Sequence, residues 1–157
     1  MIKRFFITLA VFIMLPFAMW WVRHNEKIAL RMGRKLSDVE MSWAKEIGIT
    51  HPEKVRILNV ARIPTPVPHF IEKLLQLRGY PAGNAAGMCM RYGIYAKETY
   101  AHKKSLIAHE LVHTHQFERL GGLWHFLNLY LKETMILGYA NSPLEIEANC
   151  TAEIVAA

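Results

Sequence analysis

The sequence predicts a mainly helical α+β domain with a short sheet, carried behind one N-terminal transmembrane helix. Three observations lead there. Phe5 to Val22 is a run of 18 residues without a charge. Two short stretches, Lys54–Arg62 and Met88–Lys97, alternate apolar and polar residues loosely, as half-buried strands do. From Thr99 onward the chain reads as helix, punctuated at Gly121-Gly122, Gly138 and Ser142-Pro143. The 157 residues are 52% apolar and 20% charged, which excludes a disordered chain and allows one compact domain plus an appendage. Two cysteines are too few for a disulfide-built miniprotein.

The net charge of +6 is unevenly placed. Residues 1–35 hold seven Lys and Arg against Glu26 alone, whereas the remaining residues hold 12 of each sign. The body is therefore neutral, and nothing in it suggests nucleic-acid binding. The basic charge belongs to the apolar run. At about 1.5 Å per residue that run covers roughly 27 Å, close to the roughly 30 Å hydrocarbon core of a bilayer. Lys3 and Arg4 precede it, Trp20 and Trp21 lie where an aromatic belt would sit, and Arg23 follows. Pro16-Phe17-Ala18-Met19-Trp20-Trp21 lacks the paired small residues of a signal cleavage site. The reading is an uncleaved anchor over residues 1–23, meeting lipid through residues 5–22, ahead of a domain over 24–157. Pro16 keeps a cleaved signal open, and the flanking charges leave the side occupied by the domain undecided. Arg23, Lys27 and Arg31, spaced four apart, form a stripe suited either to anionic head groups or to plain solvation.

Further along, residues 24–47 predict one or two helices with a stripe of Ile28, Met32, Leu36, Val39, Trp43 and Ile47, and with Ser37 or Asp38 as a cap. Lys54–Arg62 predicts a strand. Pro64, Pro66 and Pro68 make an extended connector, Phe70–Leu77 a short helix, and Gly79–Gly87 a loop. Met88–Lys97 predicts one strand, Thr99–Leu120 a helix, Leu123–Leu137 a strongly apolar helix, and Ser142 to the C-terminus a last helix. The apolar helix is too short to span a bilayer and suits core packing, with a place in the membrane interface as the other reading.

The chemistry concentrates in Ser105–His115. His109-Glu110-Leu111-Val112-His113 is an H-E-x-x-H pattern on a predicted helix. Residues four apart on a helix lie one turn along and about 40° round, so both imidazoles can grip one ion. Glu110, on the adjoining flank, can reach water at that ion. The bland alternative is two helix histidines and a glutamate in a polar cluster. His115 and His102 point elsewhere or lie too far along the helix. Cys89 and Cys150 read as thiols, with a disulfide possible only outside the cell.

A catalytic zinc site takes three protein ligands and keeps a fourth position open. The long metzincin pattern is excluded because Gln116 and Arg119 stand where it needs Gly and His. Asp38 is the only aspartate, so the third ligand is a Glu or His downstream. Glu145 and Asn149 share one face of the last helix. Glu145 can bind metal, while Asn149 accepts a hydrogen bond from the far nitrogen of a ligand imidazole. Ser142-x-x-Glu145 is equally a capping box, and Glu147 and His125 remain as other ligands.

His109-Glu110-x-x-His113 followed by Glu145-x-x-Ala148-Asn149 resembles the gluzincin branch of zinc metallopeptidases, over roughly residues 87–153. His109 to Gly121 is similar to small bacterial membrane-anchored proteins of peptidase type. The resemblance implies a minimal zincin-like fold, a Zn²⁺ cofactor held by His109, His113 and Glu145, and a place in a bacterial inner membrane. It also implies Glu110 as the general base in hydrolysis of a peptide or protein substrate. A sheet edge in Met88–Lys97 would pair with the substrate backbone, and Tyr95, Tyr139 and His125 are candidates for contacting the substrate. The family pattern has Asp where this chain has Asn149, which orients an imidazole without adding charge. A membrane-tethered zinc-binding module without turnover therefore stands as the alternative, and a metal-free interaction domain as a third.

Overall fold

The 18-residue apolar run does not stop at its charged end. In the computed structural model, which describes residues 2–66, 72, 73, 77 and 85–157, α1 runs from Ile2 to Met32 and passes through Pro16. It is long and apolar enough to cross a membrane over Phe6–Met32. The predicted boundary between residues 23 and 24 falls inside this helix. One side of α1 is built into the domain. Leu15, Val22 and Ala29 join a core with Ile63, Met90, Phe117, Phe126 and Leu144. A Cβ on Gly93 would stand 2.7 Å from the Ala29 methyl, so glycine permits the helix to lie this close to the sheet. Near the helix end, Glu26 pairs with Arg91 at 2.8 Å and the Asn25 carbonyl accepts from the Tyr95 hydroxyl at 2.9 Å. The opposite side of α1 is largely exposed: Phe12, which meets Trp124 edge-on, and Ile13 are 63% and 68% exposed.

After α1 come β1 (Arg34–Lys35), α2 (Asp38–Ile47) and β2 (Arg56–Val60). Ser37 caps α2 in a capping box with Glu40, and Arg34 closes onto the same carboxylate at 2.7 Å. The predicted stripe is broken, since Met32 and Val39 are exposed and the buried α2 residues are Glu40 and Ala44. The predicted helix over Phe70–Leu77 and most of the loop from Gly79 lie outside the described residues.

Met88–Lys97 is not one strand but a hairpin, β3 (Gly87–Met90) and β4 (Gly93–Lys97). The turn between them is Arg91-Tyr92, with Arg91 at a φ of 63°. No Asn-Gly or Gly pair announces it, and the Glu26 carboxylate holds the Arg91 side chain in place. The sheet order is β1-β2-β4-β3, with β2 and β4 parallel and the outer pairs antiparallel. β4 is thus interior, and among the described residues β3 keeps an unpaired edge on the side of the motif. Lys97 N–H donates to the Ala86 carbonyl, so in the antiparallel alternation Gly87 and Cys89 turn their backbone groups away from β4.

Three helices complete the chain: α3 (Lys104–Arg119), α4 (Leu123–Leu137) and α5 (Pro143–Val155). The helix expected from Thr99 begins later, after a turn that leaves His102 exposed and off the helix. α3 lies between α5, α2 and β3, and α4 packs along α1. The result is a mainly helical chain with a small mixed sheet.

Candidate metal centre

One turn of α3 separates His109 from His113, and their Nε2 atoms face each other at 3.1 Å. Glu145, in the first turn of α5, enters between them. Its Oε2 lies 3.3 Å from His109 Nε2 and its Oε1 lies 3.4 Å from His113 Nε2. Bonds of about 2.0–2.1 Å at tetrahedral angles put neighbouring donor atoms about 3.3 Å apart, close to the spacing of the two imidazole nitrogens and of each nitrogen from its nearer, and different, carboxylate oxygen. Glu145 is 1% exposed, and its Oε2 has no hydrogen-bond partner among the described residues. A buried anionic oxygen left this way is costly unless a cation completes it. Among the described residues, His109, His113 and Glu145 form a group able to hold a metal ion. Two imidazoles and a carboxylate suit zinc but do not exclude other divalent transition metals.

The start of α5 explains why Glu145 is available. Ser142 does not use it as a cap. The Ser142 hydroxyl and the Leu144 N–H both donate to the Glu133 carboxylate from α4, at 2.9 and 3.2 Å. Glu147 is also engaged elsewhere, in a two-pronged pair with Arg119 at 2.6 and 2.8 Å.

Each imidazole is held at its far nitrogen. His109 Nδ1 lies 3.0 Å from Asn149 Oδ1 and His113 Nδ1 lies 2.8 Å from Gln116 Oε1. With both Nδ1 atoms donating to amide oxygens, both Nε2 lone pairs point into the gap. Gln116, which in the sequence excludes the longer motif and falls within the stretch of resemblance, has no site role predicted for it. It is fully buried, and its amide donates to the Leu144 carbonyl and to Glu147. Tyr130 is the second such residue; its hydroxyl donates to Glu145 Oε1 at 2.6 Å. Its spacing from the motif carries no signal, because α4 and α5 meet only in the fold.

Glu110 is buried beside this group, under β3. A Cβ on Gly87 would stand 2.5 Å from Glu110 Oε1, so any other residue here would have to push the carboxylate aside. Burial raises the Glu110 carboxyl to about 7, with Glu145 adding to the rise and His109 and the Cys89 amide opposing it. Burial would also raise Glu145, but the close approach of the His109 and His113 imidazoles and the hydrogen bond from Tyr130 outweigh it and hold that carboxyl well below the ordinary range. Two neighbouring carboxyls are thus driven in opposite directions.

The three candidates for substrate contact separate clearly. Tyr139, just after α4, lines the cavities on both sides of Glu110. Tyr95 does not reach the site, because its buried hydroxyl is committed to the Asn25 carbonyl across the sheet. His125 is exposed on α4 beside Gly121 and lines neither cavity. His115 Nδ1 meets the Gly48 carbonyl and ties α3 to α2. Cys89 and Cys150 are both free thiols, and Cys89 bonds with Thr114 beneath the hairpin.

No known protein family matches the chain, and no curated protein or solved structure is significantly similar to it.

Proposed function

We propose that the protein is a membrane-anchored zinc-dependent peptidase with a minimal gluzincin-like site, tethered by α1. The observation that carries this is the convergence of His109, His113 and Glu145 beside a buried Glu110, under the unpaired edge of β3. His109, His113 and Glu145 would hold the metal, with Asn149 and Gln116 fixing the two rings and Tyr130 fixing the carboxylate. Zinc bound there supplies Lewis acidity toward a carbonyl and brings the pKa of a water down to roughly 7.

Glu110 does the proton work. Its burial gives a carboxyl near neutrality, where it can take a proton from the attacking water and return it to the leaving amine. Gly87 offers an outward-facing strand edge on which an extended substrate can add as a further strand, beside the Cys89 amide that donates to Glu110, its scissile bond brought over that carboxyl. Tyr139 borders both cavities, and its hydroxyl, which hydrogen-bonds Glu145, would be the donor toward the substrate carbonyl oxygen.

The test uses the full chain in detergent micelles. Metal analysis should give one zinc per chain, and a mixed peptide pool should be cleaved in a chelator-sensitive way. Glu110→Gln should keep the zinc and lose the cleavage. Stoichiometric zinc with no cleavage of any peptide would favour a tethered metal-binding module instead. A chain that takes up no metal would end both readings.

A further inference from the structure

The metal cluster lies where an apolar chamber meets a more polar one of mixed lining. One, of about 310 Å³, is walled by α1 and α4. Its α1 wall consists of Met14, Phe17, Ala18, Trp21 and Val22, spaced as one helical face, and Phe126 and Tyr130 of α4 stand across from them. The other, of about 440 Å³, is bordered by Tyr100, Lys103, Ser105 and Glu153. Gly87, His109, Glu110 and Tyr139 border both, so the chambers adjoin at the residues that would do the chemistry. β3 follows the same divide. Ala85 to Gly87 border both chambers or the polar one, whereas Met88 to Met90 border only the apolar one.

The apolar wall is not an ordinary core surface. It is carried by the stretch of α1 that is apolar enough to lie in a bilayer, and Met14 and Phe17 reach from the chamber to the exposed surface. An apolar ligand segment entering there would exchange lipid contact for Met, Phe and Trp contact. A polar segment would lose its hydration without compensation. On the other side, Lys103, Ser105 and Glu153 offer hydrogen bonds and both signs of charge.

Building on the peptidase reading, we infer that α1 is one wall of the substrate site. The substrate class is a polypeptide with an apolar, bilayer-supplied segment joined directly to a polar one, positioned for cleavage at that junction. The anchor thereby selects the substrate as well as holding the enzyme.

The experiment compares two peptides of identical composition, one with its apolar and polar residues in two blocks and one with them interspersed. Binding is read by fluorescence anisotropy on the full-length Glu110→Gln protein, zinc-loaded in nanodiscs, and cleavage on the parent protein. The block peptide should bind about tenfold more tightly and be cut at its junction. Ala18→Phe, which fills the chamber, should weaken block-peptide binding by about tenfold while keeping one zinc per chain. Ala18→Leu should give a smaller loss in the same direction, and Ile13→Phe, on the outer face of α1, should change nothing. Equal binding of the two peptides, or unchanged binding in both Ala18 variants, would overturn the inference even if the protein proves a peptidase. Ala18-dependent binding of the block peptide without any cleavage would keep the chamber assignment and sink the peptidase reading.

Discussion

The α3–α5 half of the molecule and the α1–α4 half are built on different principles. Between α3 and α5, the side chains around the site are tied by short polar contacts: His109 to Asn149, His113 to Gln116, Gln116 to Glu147, Glu147 to Arg119. Between α1 and α4 the contacts are apolar, as in the edge-on pair of Phe12 and Trp124 with centroids 6.2 Å apart. Hydrogen bonds fix direction to within a fraction of an ångström, whereas apolar burial fixes area and little else. The first half can therefore hold a reacting geometry, and the second can accommodate a variable ligand. Loss of a metal ligand in the α3–α5 half should remove metal and turnover together. Changes in the α1–α4 half should be graded.

The sharpest break comes from the ligands. His113→Ala or Glu145→Ala should remove metal and turnover together. Zinc-site free energies of roughly 10–16 kcal/mol spread over four positions give about 3 kcal/mol per ligand, on the order of a hundredfold or more in affinity. Chelator competition with metal analysis measures it. If Glu145→Ala binds zinc as tightly as the parent, the tie between α3 and α5 is not the metal site. Next in size is Glu110→Gln, which should lower kcat by about 10²–10⁴ with zinc content unchanged, read by single-turnover cleavage.

The same Glu110 predicts a pH effect in the metal-free protein. Its carboxyl is raised from 4.5 to about 7 by burial, so the folded state holds a proton that the unfolded state has released. Its contribution is complete below pH 4.5 and is lost as pH rises toward and past 7. The difference corresponds to about 3 kcal/mol. Glu145 works in the opposite sense, since its lowered pKa gives stability above pH 4.5 that is lost in acid. Metal-free Glu110→Gln should therefore melt at the same temperature as the parent near pH 4 and above it at pH 8. A gap that shrinks with rising pH would contradict the burial argument.

The sequence made the α3–α5 half far more legible than the α1–α4 half. Helix periodicity fixes which residues share a face, so His109 with His113, and Glu145 with Asn149, could be paired before any fold was known. Tyr130 could not be found, because its meeting with Glu145 depends on how α4 packs against α5. The β3–β4 turn was invisible because Arg91-Tyr92 uses a long-range ion pair in place of a turn residue. Glu145 was ambiguous because Ser142 has the same spacing in a capping box, and only the approach of Glu133 from α4 resolves it. α1 was legible as an apolar run but not as a wall of the site. Its buried and exposed sides carry equally apolar residues, Leu15 against Ile13, and no amphipathic pattern separates them.

The smallest effects concern the residues that orient the two imidazoles, and they extend the comparison into the α3–α5 half itself. Gln116 is fully buried and anchored at both ends of its amide, accepting from His113 and donating to Leu144 and Glu147. Asn149 lies nearer the surface and borders the polar chamber. Truncating an orienting residue of this kind typically costs 10–100-fold in metal affinity. Gln116→Ala should fall at about the upper figure, because it also leaves a buried imidazole N–H unsatisfied. Asn149→Ala should fall at about the lower figure, since water can replace the amide oxygen. Asn149→Asp should tighten zinc binding, as a carboxylate makes the His109 ring a more basic ligand. Competition with a chromophoric chelator ranks the three variants. Equal losses for Gln116→Ala and Asn149→Ala would mean that burial does not distinguish the two supports, and that the site tolerates solvent on both sides alike.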